Sequence, residues 1–105
     1  MVLYQYIKGC PGHNGTLRSL KDAMKILQLP EAMLECECVE NSSRHNFFLG
    51  SPSISINGVD LITGKKPVGF HFSCRTYQDG DTLTHTLRVE ELVNHLRAAL
   101  NVANT

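Results

Sequence analysis

A change of hydrophobic period near the N-terminus constrains this chain more than any other feature. Residues 2–7, "VLYQYI", are aromatic and β-branched and partly alternate, the pattern of a strand. Gly9, Pro11, Gly12 and Gly15 then punctuate a tight loop. From Thr16 the apolar positions Leu17, Leu20, Met24 and Leu27 recur at three- and four-residue steps, one face of a helix that Leu29-Pro30 ends. Residues 33–39, "MLECECV", alternate strictly again. Strand, helix and strand in that order predict two parallel strands joined by a right-handed crossover.

The rest of the chain extends this unit. Residues 41–49 begin polar and leave room for one or two helical turns. In "SPSISING", Ile54 and Ile56 alternate with Ser53 and Ser55, and Asn57-Gly58 is a strong turn signal. After a loop holding Gly64, Lys65-Lys66 and Pro67, "VGFHFSCRTY" alternates cleanly. Phe70, Phe72, Cys74 and Thr76 fall on one face, His71, Ser73, Arg75 and Tyr77 on the other. Residues 78–81 read as a turn. Val89, Leu92, Val93, Leu96 and Leu100 then mark an amphipathic terminal helix with Glu90 and Glu91 in its first turn. The order β-α-β-(short α)-β-β-α predicts one α/β domain over residues 1–105: a mixed four-stranded sheet packed with helices, its last two strands antiparallel.

Charge and composition narrow the function. Ten basic residues balance ten acidic ones, and only Lys65-Lys66 are adjacent among the basic residues. No overall field favours nucleic acid or an anionic membrane, so neither is expected as a partner. No apolar run approaches the roughly 18 residues of a membrane span. "MVLYQYIKG" lacks the basic start and apolar stretch of a signal peptide, so a cytoplasmic location with reduced thiols is expected. There is no Ser-His-Asp logic, phosphate-cradling glycine loop or Walker-type lysine. His45, His71, His85 and His95 lack zinc-site spacing, and no metal or other cofactor is expected. The chemistry left to consider belongs to Cys10, Cys36, Cys38 and Cys74.

A strand that runs into Cys10-Pro11-Gly12-His13 at the start of a helix, with "LGSPSISING" downstream, resembles a minimal thioredoxin fold. In that family an active cysteine opens the first helix and faces a loop whose proline is cis. Cys10-Pro11-Gly12-His13 stands where the Cys-X-X-Cys motif would be, and Ser51-Pro52 where the cis-proline dipeptide would be. The combination of "GCP", "FLGSPSISINGVD" and "FSCRTY" is similar to a group of small bacterial thioredoxin-like proteins sometimes labelled alkylmercury lyase-like. One departure matters: His13 replaces the usual second cysteine, so dithiol cycling cannot run through that motif.

The resemblance implies roles that the residues themselves leave open. At a helix N-terminus the backbone N–H groups and the dipole favour Cys10 as a thiolate, against an ordinary turn cysteine. His13 is an orienting partner, a proton donor or a metal ligand, or else a solvated residue of the first turn. A cis bond at Pro52 holds the Ser51 backbone out to an extended thiol-bearing substrate, with Pro11 and Gly12 beside it; the alternative is a trans proline opening an edge strand. Cys74 is the candidate second thiol. With one strand intervening it is expected roughly 10 Å from Cys10, beyond the ~7 Å between Cα atoms that a disulfide tolerates. The alternative for Cys74 is a small core residue beside Phe70 and Phe72. Arg75, on the other face, is expected as a solvated edge charge, the alternative being a side chain that meets an anion or a carboxylate. Cys36 and Cys38, on one face with Leu34, are expected in the core rather than as a soft-metal pair.

Three functions follow as expectations. The first is a monothiol thioredoxin-like thiol–disulfide oxidoreductase, in which Cys10 exchanges with a protein or low-molecular-weight thiol or disulfide and an external thiol resolves it. The second is a soft-metal or mercurial binding module using Cys10 with His13 or Cys74. The third is a thioredoxin-fold adaptor without chemistry.

Overall fold

The first strand becomes an inner strand of the sheet. In the computed structural model, which describes residues 1–40, 47–79 and 81–100, Val2–Tyr6 forms β1. It pairs in parallel with β2 (Leu34–Cys38) and antiparallel with β3 (Ser53–Ile56). A short β4 (Val59–Asp60) completes a mixed four-stranded sheet of order β2-β1-β3-β4. β3 and β4 are joined by Asn57-Gly58, whose φ values of 52° and 84° are those of a tight hairpin turn.

Helix α1 (His13–Ile26) joins β1 to β2 and starts three residues before the apolar periodicity does. Its end is a Schellman motif: Gln28 turns left-handed at φ 57°, and the N–H groups of Leu29 and Gln28 donate to the carbonyls of Met24 and Lys25. Pro30 then leads into a 3₁₀ turn, Glu31–Met33. β5 (Tyr77–Asp79) and β6 (Thr82–Thr84) form a separate hairpin before α2 (Val89–Leu100).

One core holds these elements. Val2 and Tyr4 of β1 share a sheet face with Ile56 and Ile54, their register partners. Against that face pack Leu20, Ala23 and Met24 of α1 and Leu92 and Leu96 of α2. Each of the larger aliphatic side chains among them contributes about 1.5–3 kcal/mol on full burial. Among the described residues, no helix is long and apolar enough to cross a membrane.

The structure corrects the sequence reading in one large respect. The alternating segment "VGFHFSCRTY" is not the fourth strand; β4 is. Residues 68–76 run as an irregular segment tied by two isolated parallel bridges, Phe48 to Phe70 and Ser51 to Cys74, rather than antiparallel. Gly69 turns left-handed at φ 84° and breaks the extended run that the alternation suggests. The short helical turns expected in 41–49 fall largely on residues 41–46, outside the described residues; of the expected 78–81 turn, Gln78 and Asp79 instead end the strand Tyr77–Asp79, and Gly80 lies outside the described residues.

Candidate thiol site

Cys10 lies between the end of β1 and the start of α1, in two consecutive turns. Its N–H donates to the Ile7 carbonyl at 3.1 Å, and its own carbonyl accepts the His13 N–H at 3.2 Å. The helix cap is Gly12, whose carbonyl accepts the Thr16 N–H at 3.1 Å, so Cys10 sits two residues before the cap rather than on it. Gly12 is required there. A Cβ on it would lie 2.0 Å from the His85 carbonyl oxygen, and the backbone at His85 covers the turn. Gly12 is therefore buried while Pro11 stays exposed.

The Ser51-Pro52 peptide bond is cis, and both residues are buried. The Ser51 hydroxyl accepts the Ile7 N–H at 2.9 Å, which fixes this loop to the end of β1. The Cys10 thiol donates to the Ser51 carbonyl at 3.5 Å. The Tyr77 hydroxyl donates to the Pro52 carbonyl from the other side.

Cys74 enters here directly. The Ser51 N–H donates to the Ser73 carbonyl at 2.9 Å, and the Arg75 N–H donates to the Ser51 carbonyl at 2.7 Å. These two bonds flank Cys74 and set its Sγ 3.7 Å from the Cys10 Sγ, where its thiol donates to Cys10. The expected separation of about 10 Å is thus overturned, and so is the core position, because Cys74 is exposed. The strand assumed to intervene does not: residues 73–75 bridge straight onto the Ser51 backbone. Glycine at position 50 permits this approach, having φ 110° and a hypothetical Cβ 3.0 Å from the Ser73 carbonyl oxygen. The hydrogen bond to Cys10 comes first among the causes that raise the Cys74 thiol above its ordinary range; desolvation and the charge of Cys10 follow. Ser51, expected to offer its backbone to a substrate, has that N–H and that carbonyl paired within the chain.

The residue after Cys74 anchors it. Arg75 is 11 % exposed and Asp60 is 3 % exposed, and they meet as a fork: Nη1 to Oδ1 at 2.7 Å and Nη2 to Oδ2 at 2.9 Å. Arg75 Nη1 also reaches the Ser53 hydroxyl at 3.3 Å, and the guanidinium lies 4.8 Å over the Tyr77 ring. The Thr63 and Ile62 N–H groups complete the carboxylate shell at 2.9 and 3.2 Å. Burial pushes the Asp60 carboxyl upward, but the hydrogen bonds from Arg75 and Thr63 outweigh it and hold it below the usual carboxylate range. Burial acts against the charged Arg75 too and is likewise outweighed, by the Asp60 hydrogen bond first, which leaves the guanidinium's pKa raised. The solvated edge charge expected for Arg75 is overturned and the alternative, a carboxylate partner, holds: the side chain is a largely covered half of an ion pair. No local signal marks this, because its partner is fifteen residues away.

His13 is turned to a different neighbour. The Tyr4 hydroxyl donates its one proton to the His13 carbonyl at 2.7 Å, so His13 Nδ1, 3.0 Å from the same oxygen, is the donor in that second contact. The imidazole also stacks on Tyr6, ring centroids 3.9 Å apart and planes 4° from parallel. Burial lowers the His13 pKa. Among the described residues, no hydrogen bond joins the His13 imidazole to the Cys10 sulfur. Burial first, with Cys10 next among the neighbouring groups, raises the Tyr4 phenol well above its ordinary value and keeps it a donor.

Cys36 and Cys38 are corrected as well. They pair in register with Tyr4 and Tyr6, but β2 is the sheet edge and both thiols are exposed. Among the described residues, no three His, Cys, Asp or Glu side chains gather as a metal-holding group. An open groove of about 660 Å³ runs along α1, lined by residues including Leu17, Arg18, Lys21, Met24 and Leu34, and none of the cysteines lines it. No family model, curated protein or solved structure matches this chain.

Proposed function

We propose that this chain is a thioredoxin-like protein that performs thiol–disulfide exchange with Cys10 and Cys74 as its working pair. The observation that carries the reading is the 3.7 Å between the two sulfurs. A disulfide is about 2.05 Å long, so closing the bond needs about 1.7 Å of approach. The cis Ser51-Pro52 bond facing Cys10 supports the fold reading, as does the strand, helix, strand order before it.

Cys10, in the turn that leads into α1, is assigned the attacking role, and Cys74, whose thiol is raised above its ordinary range by its contact with Cys10, the resolving one. A Cys10 thiolate attacks a disulfide R–S–S–R, forms Cys10–S–S–R and expels one thiolate. The Cys74 thiol, losing its proton to solvent or to the departing thiolate, attacks the Cys10 sulfur and expels the second. Two protein thiols are oxidised and one external disulfide is reduced to two thiols. With Cys74 in reach, resolution is internal, where the motif alone implied an external thiol.

The test is titration of the Cys36→Ser/Cys38→Ser protein in glutathione redox buffers, with acid quench, alkylation and intact mass. Loss of two hydrogens with both remaining thiols protected is the expected product. In addition, Cys74→Ser should stop at a Cys10–glutathione adduct. Two freely alkylated thiols under all oxidising buffers would remove the exchange reading and leave the adaptor.

A second reading rests on the same distance. Two thiolates of a tetrahedral site with 2.3 Å bonds lie about 3.8 Å apart, so the pair also suits a soft thiophilic ion. Binding of one ion per chain without turnover of disulfide substrates distinguishes it.

A further inference from the structure

We infer that Asp60 and Arg75 are positioning residues for the Cys10–Cys74 pair, and that their fork sets how readily its disulfide forms. The inference rests on the exchange reading and assigns the control of that site. Cys74 belongs to no strand. A one-residue bridge to Ser51 holds its backbone, and next to it the Arg75 side chain runs inward to Asp60.

The fork is joined to both halves of the site. Arg75 reaches Ser53, whose hydroxyl donates to the Gly50 carbonyl on the approach to the cis bond. Tyr77, under the guanidinium, donates to the Pro52 carbonyl. Asp60 itself sits on β4, opposite Ser55 of β3. One guanidinium therefore ties the Cys74 segment, the Ser51-Pro52 loop and the sheet edge into a single piece. A lysine would keep the charge but not the planar two-bond fork.

The consequence is an effective concentration. In the reaction protein(SH)₂ + GSSG → protein(S–S) + 2 GSH, the Cys10 and Cys74 sulfurs are joined and the electrons pass to glutathione disulfide, which takes up both protons as two glutathione molecules. The equilibrium constant reports how well the fold holds the Cys74 sulfur against Cys10. Freeing the segment leaves the two thiols chemically unchanged and lowers that constant.

The experiment compares three proteins in the Cys36→Ser/Cys38→Ser background: the parent, Arg75→Lys, and Asp60→Leu/Arg75→Met, which removes both charges together so that neither is left buried alone. Each is equilibrated with glutathione buffers, quenched and analysed for the Cys10–Cys74 disulfide. The double variant should lower the constant at least fivefold, which raises the potential of the two-electron couple by about 20 mV. Arg75→Lys should fall between it and the parent. A role confined to stabilising the fold would weaken reduced and oxidised forms alike and leave the constant in place. A drop smaller than fivefold overturns the inference while the parent disulfide still stands. If the parent forms no disulfide, the exchange reading itself falls. Should the double variant not fold, as judged by circular dichroism, Arg75→Lys decides alone: any drop beyond twofold supports the inference, and a smaller one overturns it.

Discussion

The Tyr4 hydroxyl lies 3.0 Å from His13 Nδ1 and 2.7 Å from the His13 carbonyl, so the centre of the sheet holds the first turn of the helix at two points. The first-turn position His13 is thus committed to the sheet. Replacing His13 with alanine should leave the Cys10 alkylation rate within about threefold of the parent, while costing about 1 kcal/mol or somewhat more in urea unfolding through the lost hydrogen bond and ring packing. Iodoacetamide kinetics and denaturation on the same variant check both halves.

Gly12 and Gly15 make a controlled pair. A methyl at position 12 would sit 2.0 Å from a backbone oxygen, and at position 15 it would lie 3.3 Å from the Thr86 methyl. Gly12→Ala should lower the melting temperature sharply, since backbone at His85 has to move. Gly15→Ala should be neutral or gain up to about 1 kcal/mol, because alanine suits a helix interior and the facing atom is a side-chain methyl. Thermal melts of the two single variants decide it.

Acid should act through Asp60. A carboxyl whose folded pKa is depressed contributes its stability in full above its unfolded value near 3.9. That contribution is lost as the pH falls through the lower folded value. Asp60→Asn should cost about 3–5 kcal/mol near neutral pH by leaving Arg75 buried without its partner. Its stability should also vary less with pH below about 4 than the parent's. Urea midpoints measured from pH 7 down to pH 3 check the cost and the slope together.

The edge thiols should be separable from the site. Cys36 and Cys38 are exposed on β2, so Cys36→Ser/Cys38→Ser should change stability by no more than about 0.5 kcal/mol per site. In the native parent both should label with a bulky maleimide. Mass spectrometry after timed labelling is the check, and protection of either thiol would contradict the edge placement.

What the sequence revealed was local in origin. The period change from "VLYQYI" to Leu17, Leu20 and Met24 marks β1 and α1, the Asn57-Gly58 pair marks the β3–β4 turn, and the spacing from Val89 to Leu100 marks α2. The apposition of Cys10 and Ser51-Pro52 was legible through the motif pair. The misreadings all concern what lies beside a segment. Alternation in 68–77 resembles a strand, yet it reflects Phe70 tilted against Phe48 and stacked on Phe72, together with the two bridges. Cys36 and Cys38 share a face with fully buried Tyr4, but edge position decides exposure, and no residue in "LECEC" encodes the edge. Arg75 reads as a surface charge until Asp60, on a different element, is brought against it.

Ser51 spends both its N–H and its carbonyl on residues 73–75. An extended guest arriving at that edge therefore meets a resident already tethered in place. Short flexible tethers correspond to local concentrations of order millimolar, so a guest has to outbid a rival at that strength before it gains its first backbone bond. Under the proposed exchange reaction, selection at Ser51 is then comparative: a substrate segment gains these backbone bonds only where it offers Ser51 more than Ser73 and Arg75 already give.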